Sequence, residues 1–246
     1  MIAALPMYDR PEVAELNDRF WRAIRAALGH GPEALTRGVP LMALWEDPTL
    51  LLAQTCGLPY RARLARRVSL VGTPDYGLEG CPPGHYRSHL LVRADDPRAH
   101  LRAFAQARLA VNEPLSQSGW AAPEAHFRRA GVAIGGVILT GSHSASARTV
   151  AQGHADVAAV DAVTWRLIEA FDPFAAGLRI LESTAPSPGL PFITASPGAA
   201  DSLFSAISTV LEAADPALRA PMLPLSLQRI PHEAYTVQPI PPAPPA

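Results

Sequence analysis

The stretch Leu139–Trp165, "LTGSHSASARTVAQGHADVAAVDAVTW", decides the fold. It follows an apolar run, "VAIGGVILTG", that reads as a strand with two glycines in it. "SASARTVAQGHA" reads as a helix stopped near Gly153, and "DVAAVDAVTWRLIEAF" as a buried strand running into a second helix. The unit is therefore strand–helix–strand–helix, with a hydroxyl-rich cluster around His143 at the head of one helix and Asp161 at the head of the next. Just upstream, "ARLAV" reads as a strand that enters "NEPLSQSGW" (Asn112–Trp120), a polar break before another helix. Two serine-rich helix entrances thus stand close together in the chain.

The same alternation extends outward. "IAALPMY" reads as a first strand, and the helix after it carries Val13, Leu16, Phe20, Ile24 and Leu28 at helical spacing before Gly29. Strands are expected up to Thr55, in "RVSLVGTPDY", through "HYRSHLLVRADD", in "GLRILEST" and in "PFITA". "AADSLFSAISTVLEAAD" reads as an amphipathic helix and "QPIPPAPPA" as an extended arm. The expectation is an α/β chain of mostly parallel sheets flanked by helices. Such sheets place ligands beyond the C-terminal ends of their strands. Tyr8, Thr55, Tyr76, the 116–118 loop, the 142–144 loop and Asp161 all fall at such ends.

Composition narrows the function. The 246 residues are 48% hydrophobic and 17% charged, enough to bury a substantial core. A net charge of -1 excludes a general nucleic-acid or anionic-membrane partner. All the basic residues are arginine; the chain has no lysine. Cys56 and Cys81 cannot build a disulfide framework, and without a CxxC a structural metal is not expected. They could form one bridge or remain two thiols. No run reaches the about 20 apolar residues of a membrane span, and "MIAALPMYDRPE" does not read as a secretory leader. Taken alone, that points to the cytoplasm or to a leader missing from the sequence.

Helix entrances leave N–H groups without internal partners and carry a partial positive charge. Two of them with hydroxyl donors can hold an anion. Ser116, Gln117 and Ser118 would supply one; Ser142, His143 and Ser144 the other. The plain alternative is that the serines only cap their helices. His143 could donate to a ligand oxygen or bond its own loop. Asp161 could cap the following helix, or accept a proton from a ligand P–OH or pair with a ligand amine. Ser118, His143 and Asp161 are also the residue types of a hydrolase triad, but "SQSGW" is not the G-x-S-x-G elbow. A Cys56 nucleophile with His143 has no local support either.

With "VGTPDY", "YRSHLLVRADDP", "NEPLSQSGW", "TGSHSASARTVAQGHADVAAVDAVTW" and "LRILESTAPSPGLPFIT" in family order, the chain resembles the substrate-binding proteins of phosphate, phosphite and phosphonate ABC importers. The resemblance covers about residues 1–195 and implies a two-lobed type II periplasmic-binding-protein-like fold with two hinge crossings. Residues 1–90 plus 186–246 would form lobe I and 91–185 lobe II. A small anion would sit in the cleft, with no cofactor, no metal and no covalent step. Ser116, Gln117, Ser118, His143 and Asp161 match the family's ligand loop, histidine and aspartate. Tyr86 matches an aromatic near the ligand, with Tyr8 and Thr55 on the facing lobe. Gln117 stands where the family's loop often has another hydroxyl, and the two cysteines are not general to it. The resemblance implies a periplasmic monomer serving an ABC permease. The rival functions are a cytoplasmic sensor or scavenger of small anions on the same fold, and an enzyme using Ser118, His143 and Asp161.

Overall fold

The computed structural model describes residues 1–214 and 224–245. They divide into two compact units. Unit 1 comprises residues 1–79, 83–85 and 188–238; unit 2 comprises 80–82, 86–187 and 239–246. The chain thus passes between units around residues 80–86 and at 187–188, and again at 238–239. The sequence reading assigns all of 186–246 to lobe I; residues 239–246 instead sort with unit 2, where the indole N–H of Trp120 donates to the Pro242 carbonyl (2.8 Å).

Unit 1 is built on a five-stranded sheet in the order β1 (Ile2–Ala4), β2 (Leu50–Gln54), β11 (Phe192–Thr194), β3 (Ser69–Asp75), β12 (Ser226–Gln228). Helix α1 (Ala14–Leu28) forms where the apolar spacing predicts it and ends at Gly29, whose φ of 83° only glycine adopts freely. Its Phe20, Trp21 and Ile24 pack with Leu203, Ile207 and Leu211 of a helix at Ala200–Ala213 on one sheet face. The expected end of that second helix, Asp215, lies outside the described residues. The other face is closed by Trp45 from α2 (Leu41–Trp45), by Tyr60 and Leu64, and by Tyr235. Strand β12 carries no strong pattern in the sequence and is absent from the sequence reading.

Unit 2 has the sheet order β7 (Ile134–Leu139), β6 (Ala107–Val111), β8 (Val157–Asp161), β5 (Ser88–Arg93), β9 (Leu178–Ser183). Every residue of β8 is buried. Val157 and Ala159 face a cluster with Phe104, Trp120 and Phe127, while Ala158 and Val160 face Ala147, Val150, Trp165 and Ile168. That alternation is the period-2 signature of a strand covered on both sides.

The α/β class stands, but the strand pairing needs a correction. Each sheet is mixed: β1–β2, β6–β7 and β6–β8 pair in parallel, whereas β11 runs antiparallel to both neighbours and β5 does likewise. β11 and β5 lie inside their sheets and follow a passage of the chain from one unit to the other, and the edge strand β12 is likewise antiparallel to β3. The expected long strand through "HYRSHLLVRADD" is also broken. Arg87 separates the two-residue strand β4 (His85–Tyr86) from β5, and β10 (Ser187–Pro188) is equally short.

Candidate functional site

Because β7, β6 and β8 are parallel neighbours, their C-terminal ends lie side by side. Each is followed by the start of a helical element. After β6 comes a π turn, Gln117–Ala121, that continues into a helix at Ala122–Ala130. After β7 comes a helix at His143–Ala151, and after β8 one at Ala162–Phe171. The loops after β6 and β7 are stitched together by Thr140 N–H to the Val111 carbonyl and Gly141 N–H to the Asn112 carbonyl (both 2.9 Å). This juxtaposition brings Ser118, His143 and Asp161, distant in sequence, to one place.

The π turn has a local cause. The Ser116 carbonyl accepts from both Trp120 and Ala121, and Ser116 Oγ accepts from Gly119 N–H (2.9 Å). A Cβ on Gly119 would fall 1.8 Å from Asn112 Oδ1, so any larger residue there would have to displace the Asn112 side chain. Single turns of this kind recur at functional sites. Ser116, Gln117 and Ser118 are all buried.

Ser118 Oγ lies 2.9 Å from His143 Nε2, and Asp161 Oδ2 lies 3.6 Å from the same nitrogen. An ionised carboxylate only accepts, so the partners favour the tautomer with the proton on Nε2. Ser118 then accepts from His143 and keeps its own hydroxyl hydrogen to donate elsewhere. His143 is held below the ordinary histidine pKa chiefly by burial, with Asp161 and the backbone of Ala159 acting in the opposite direction. A neutral imidazole is the resting form near neutral pH.

Asp161 caps the helix that follows it. Its Oδ1 accepts from the N–H groups of Val163 (3.1 Å) and Thr164 (2.9 Å), and its Oδ2 accepts from the Thr164 hydroxyl. These bonds satisfy a buried carboxylate that bare burial would not tolerate. Ser142 likewise caps its helix, accepting from Ala145 N–H (3.1 Å). Capping, the plain alternative for these residues, is therefore what Ser116, Ser142 and Asp161 do, and at Ser116 and Ser142 it leaves the hydroxyl hydrogen unspent.

Tyr86 is buried in unit 2, two residues before Ser88. Ser88 pairs in register with Asp161, and its hydroxyl donates to the Ser118 carbonyl (2.9 Å). Ser88, Asn112 and Thr164 escape a sequence reading. Only Thr164 leaves a signal, as the hydroxyl three residues after a capping Asp. Tyr8 and Thr55 belong to unit 1. Tyr8 meets Tyr76 edge-on with ring centroids 5.4 Å apart, and Gln54 Nε2 donates to the Leu190 carbonyl (3.2 Å). Thr55 is fully buried and its hydroxyl has no hydrogen-bond partner among the described residues. Cys56 and Cys81 are not joined in a disulfide. Among the described residues no three His, Cys, Asp or Glu side chains gather as a metal site, and no helix is long and apolar enough to cross a membrane.

No curated protein matches the sequence. Among solved structures, PhnD1 from Prochlorococcus marinus in complex with methylphosphonate is 15% identical, with a TM-score of 0.73 over 96% of this chain and 94% of that one. A binding protein component of an ABC phosphonate transporter from Pseudomonas aeruginosa is 16% identical, with a TM-score of 0.72 over 96% of this chain and 82% of that one. XAC2383 from Xanthomonas citri, bound to ATP, is 17% identical, with a TM-score of 0.65 over 96% of both chains. These likenesses establish the fold as that of the periplasmic binding proteins. Residues 52–230, well over half of the chain, match the family described as "ABC transporter, phosphonate, periplasmic substrate-binding protein". The chain belongs to this family of phosphonate-transporter substrate-binding proteins.

Proposed function

We propose that the protein is the solute-binding component of an ABC importer for a small phosphorus oxyanion or phosphonate, with a permease as its partner, and that it binds without a chemical step. The observation that carries this reading is the meeting of Ser118, His143 and Asp161 at one end of unit 2, in a chain of this family. The ligand oxygens would accept from the Ser116 and Ser118 hydroxyls and from the Ser118 amide in the first turn of the helical element. Hydrogen bonds to an anion are roughly twice as strong as neutral pairs, so a few such donors suffice without lysine. Gln117, Tyr86, Tyr8 and Thr55 complete the proposed set; the unpartnered hydroxyl of Thr55 supports its place there.

Asp161 is proposed to orient His143. Three of the roughly four acceptor positions of its carboxylate are already taken by Val163 and Thr164. Binding rather than hydrolysis is supported by the ring geometry. In a triad the serine and the acid address opposite imidazole nitrogens, whereas here both approach Nε2. A proton taken from Ser118 would find no relay.

A thermal-shift screen against methylphosphonate, phosphite, phosphate, sulfate and carboxylates tests the reading. A ligand at 100 times its Kd stabilises by about 2.7 kcal/mol. Phosphorus oxyanions are expected to raise Tm, with methylphosphonate, the ligand of the Prochlorococcus protein, as the first probe. Stabilisation by carboxylates alone would remove the phosphorus assignment. Ser118-dependent release of product from a phosphoester would overturn the non-enzymatic part.

A further inference from the structure

Unit 1 carries a second concave feature. The segment Tyr60–Arg67, "YRARLARR", places four arginines in seven residues along a π turn and the turn after it. Arg61, Arg63, Arg66 and Arg67 line a cavity of about 540 Å³ together with His232 and Thr236. Ala62 and Ala65 complete the lining and no carboxylate belongs to it, so its charged groups suit an anionic guest. Arg67 pairs with Glu46 (3.4 Å). Among the described residues Arg63 and Arg66 enter no ion pair or hydrogen bond, and both side chains are exposed. The carboxylates on the neighbouring elements are Glu46, already engaged, and Glu233, whose charge reaches Tyr60. The cavity lining thus carries four guanidiniums and no carboxylate, in a chain whose net charge is -1. His232 is steadied by Tyr60, whose hydroxyl lies 2.8 Å from Nδ1.

The place of this cavity separates it from the candidate ligand site. Arg67 stands just before β3 and Glu46 just before β2, at the ends where those strands begin. Tyr8, Thr55 and Tyr76 follow the ends where strands finish.

We propose that the arginine-lined cavity is a second anion site, for a small molecule with at least two linked phosphate groups. Guanidinium forks match phosphate oxygens two at a time. The volume lies in the range of small-molecule sites and exceeds the needs of one tetrahedral ion. Several guanidiniums side by side reward adjacent phosphates over isolated ones.

The test is calorimetric titration of inorganic pyrophosphate and tripolyphosphate into the full chain at 150 mM salt, repeated with Ser118→Ala and with the double variant Arg63→Ala/Arg66→Ala. Circular dichroism checks that the variants fold, as exposed arginines permit. Saturable binding that survives Ser118→Ala, weakens at least tenfold in the arginine variant and is not matched by sulfate at equal ionic strength supports the proposal. No saturable binding, or binding lost in Ser118→Ala but unchanged in the arginine variant, overturns it. So does association with anionic phospholipid vesicles while both free phosphates fail to bind.

Discussion

At the residue scale, Ser116 and His143 do two things each. Ser116 Oγ accepts from Gly119 N–H, so Ser116→Ala is expected to cost about 1 kcal/mol of stability, as lost caps do, as well as ligand affinity. Denaturant unfolding without ligand separates the two effects. Its companion Ser118 accepts no cap bond, but Ser118→Ala removes the acceptor of the His143 Nε2–H in a buried setting and is expected to cost about 1–3 kcal/mol of stability as well as affinity. His143 gives a pH signature. Its folded pKa lies below the unfolded value of about 6.5, because burial disfavours the imidazolium. The unfolded chain therefore binds more protons in acid. The stability contribution is complete above pH about 6.5 and is lost as pH falls through the lowered folded value. Unfolding curves between pH 5 and pH 8 are expected to flatten in this window for His143→Gln. A slope unchanged by the substitution would assign the effect to other groups.

At the scale of elements, the glycines of β7 are not equivalent. A Cβ on Gly135 would fall 2.1 Å from the backbone oxygen of Gln106, a residue with φ of 63°, whereas a Cβ on Gly136 meets nothing within 4 Å. Gly135→Ala is expected to cost on the order of 1–3 kcal/mol through overpacking, and Gly136→Ala to be close to neutral; thermal unfolding of the two variants compares them directly. The sequence shows two glycines weakening a strand and cannot show which one a backbone approaches. The elements that were legible, β8 and α1 above all, carry their periodicity in their own residues. The missed ones depend on distant partners. β12 is a strand because Leu227 and its neighbours pair with Thr73, Pro74 and Asp75. The π turn is instead set by Ser116, whose carbonyl accepts twice, a pattern that apolar periodicity does not reveal. Antiparallel pairing of β5 and β11 is a property of chain path, which alternating hydrophobicity does not encode. At the candidate site, Ser118, His143 and Asp161 were legible as helix-entrance residues, whereas Ser88 looked like any strand serine until its register with Asp161 was known.

At the scale of the whole molecule, the proline-rich tail is a structural part of unit 2. Trp120 closes the π turn next to Ser118 and donates its indole N–H to Pro242. Removal of residues 239–246 leaves that buried donor without its partner and is expected to cost about 1–3 kcal/mol, with Trp120→Phe less affected by the same truncation. A truncated protein as stable as the full chain would show that the tail only rests on the surface. The absence of lysine gives the molecule a consistent character. On the proposed assignments, anions are held by hydroxyls, amides and imidazole at the unit 2 site and by guanidinium at the arginine cavity of unit 1.

The central claim is that Ser118 and His143, set by three parallel strand ends, belong to a phosphorus-oxyanion site. Isothermal titration of methylphosphonate into the wild-type chain and into Ser118→Ala and His143→Ala tests it most directly. Saturable one-to-one binding, weakened at least tenfold in each folded variant and not reproduced by sulfate, is the expected result. Wild-type affinity in both variants would contradict it.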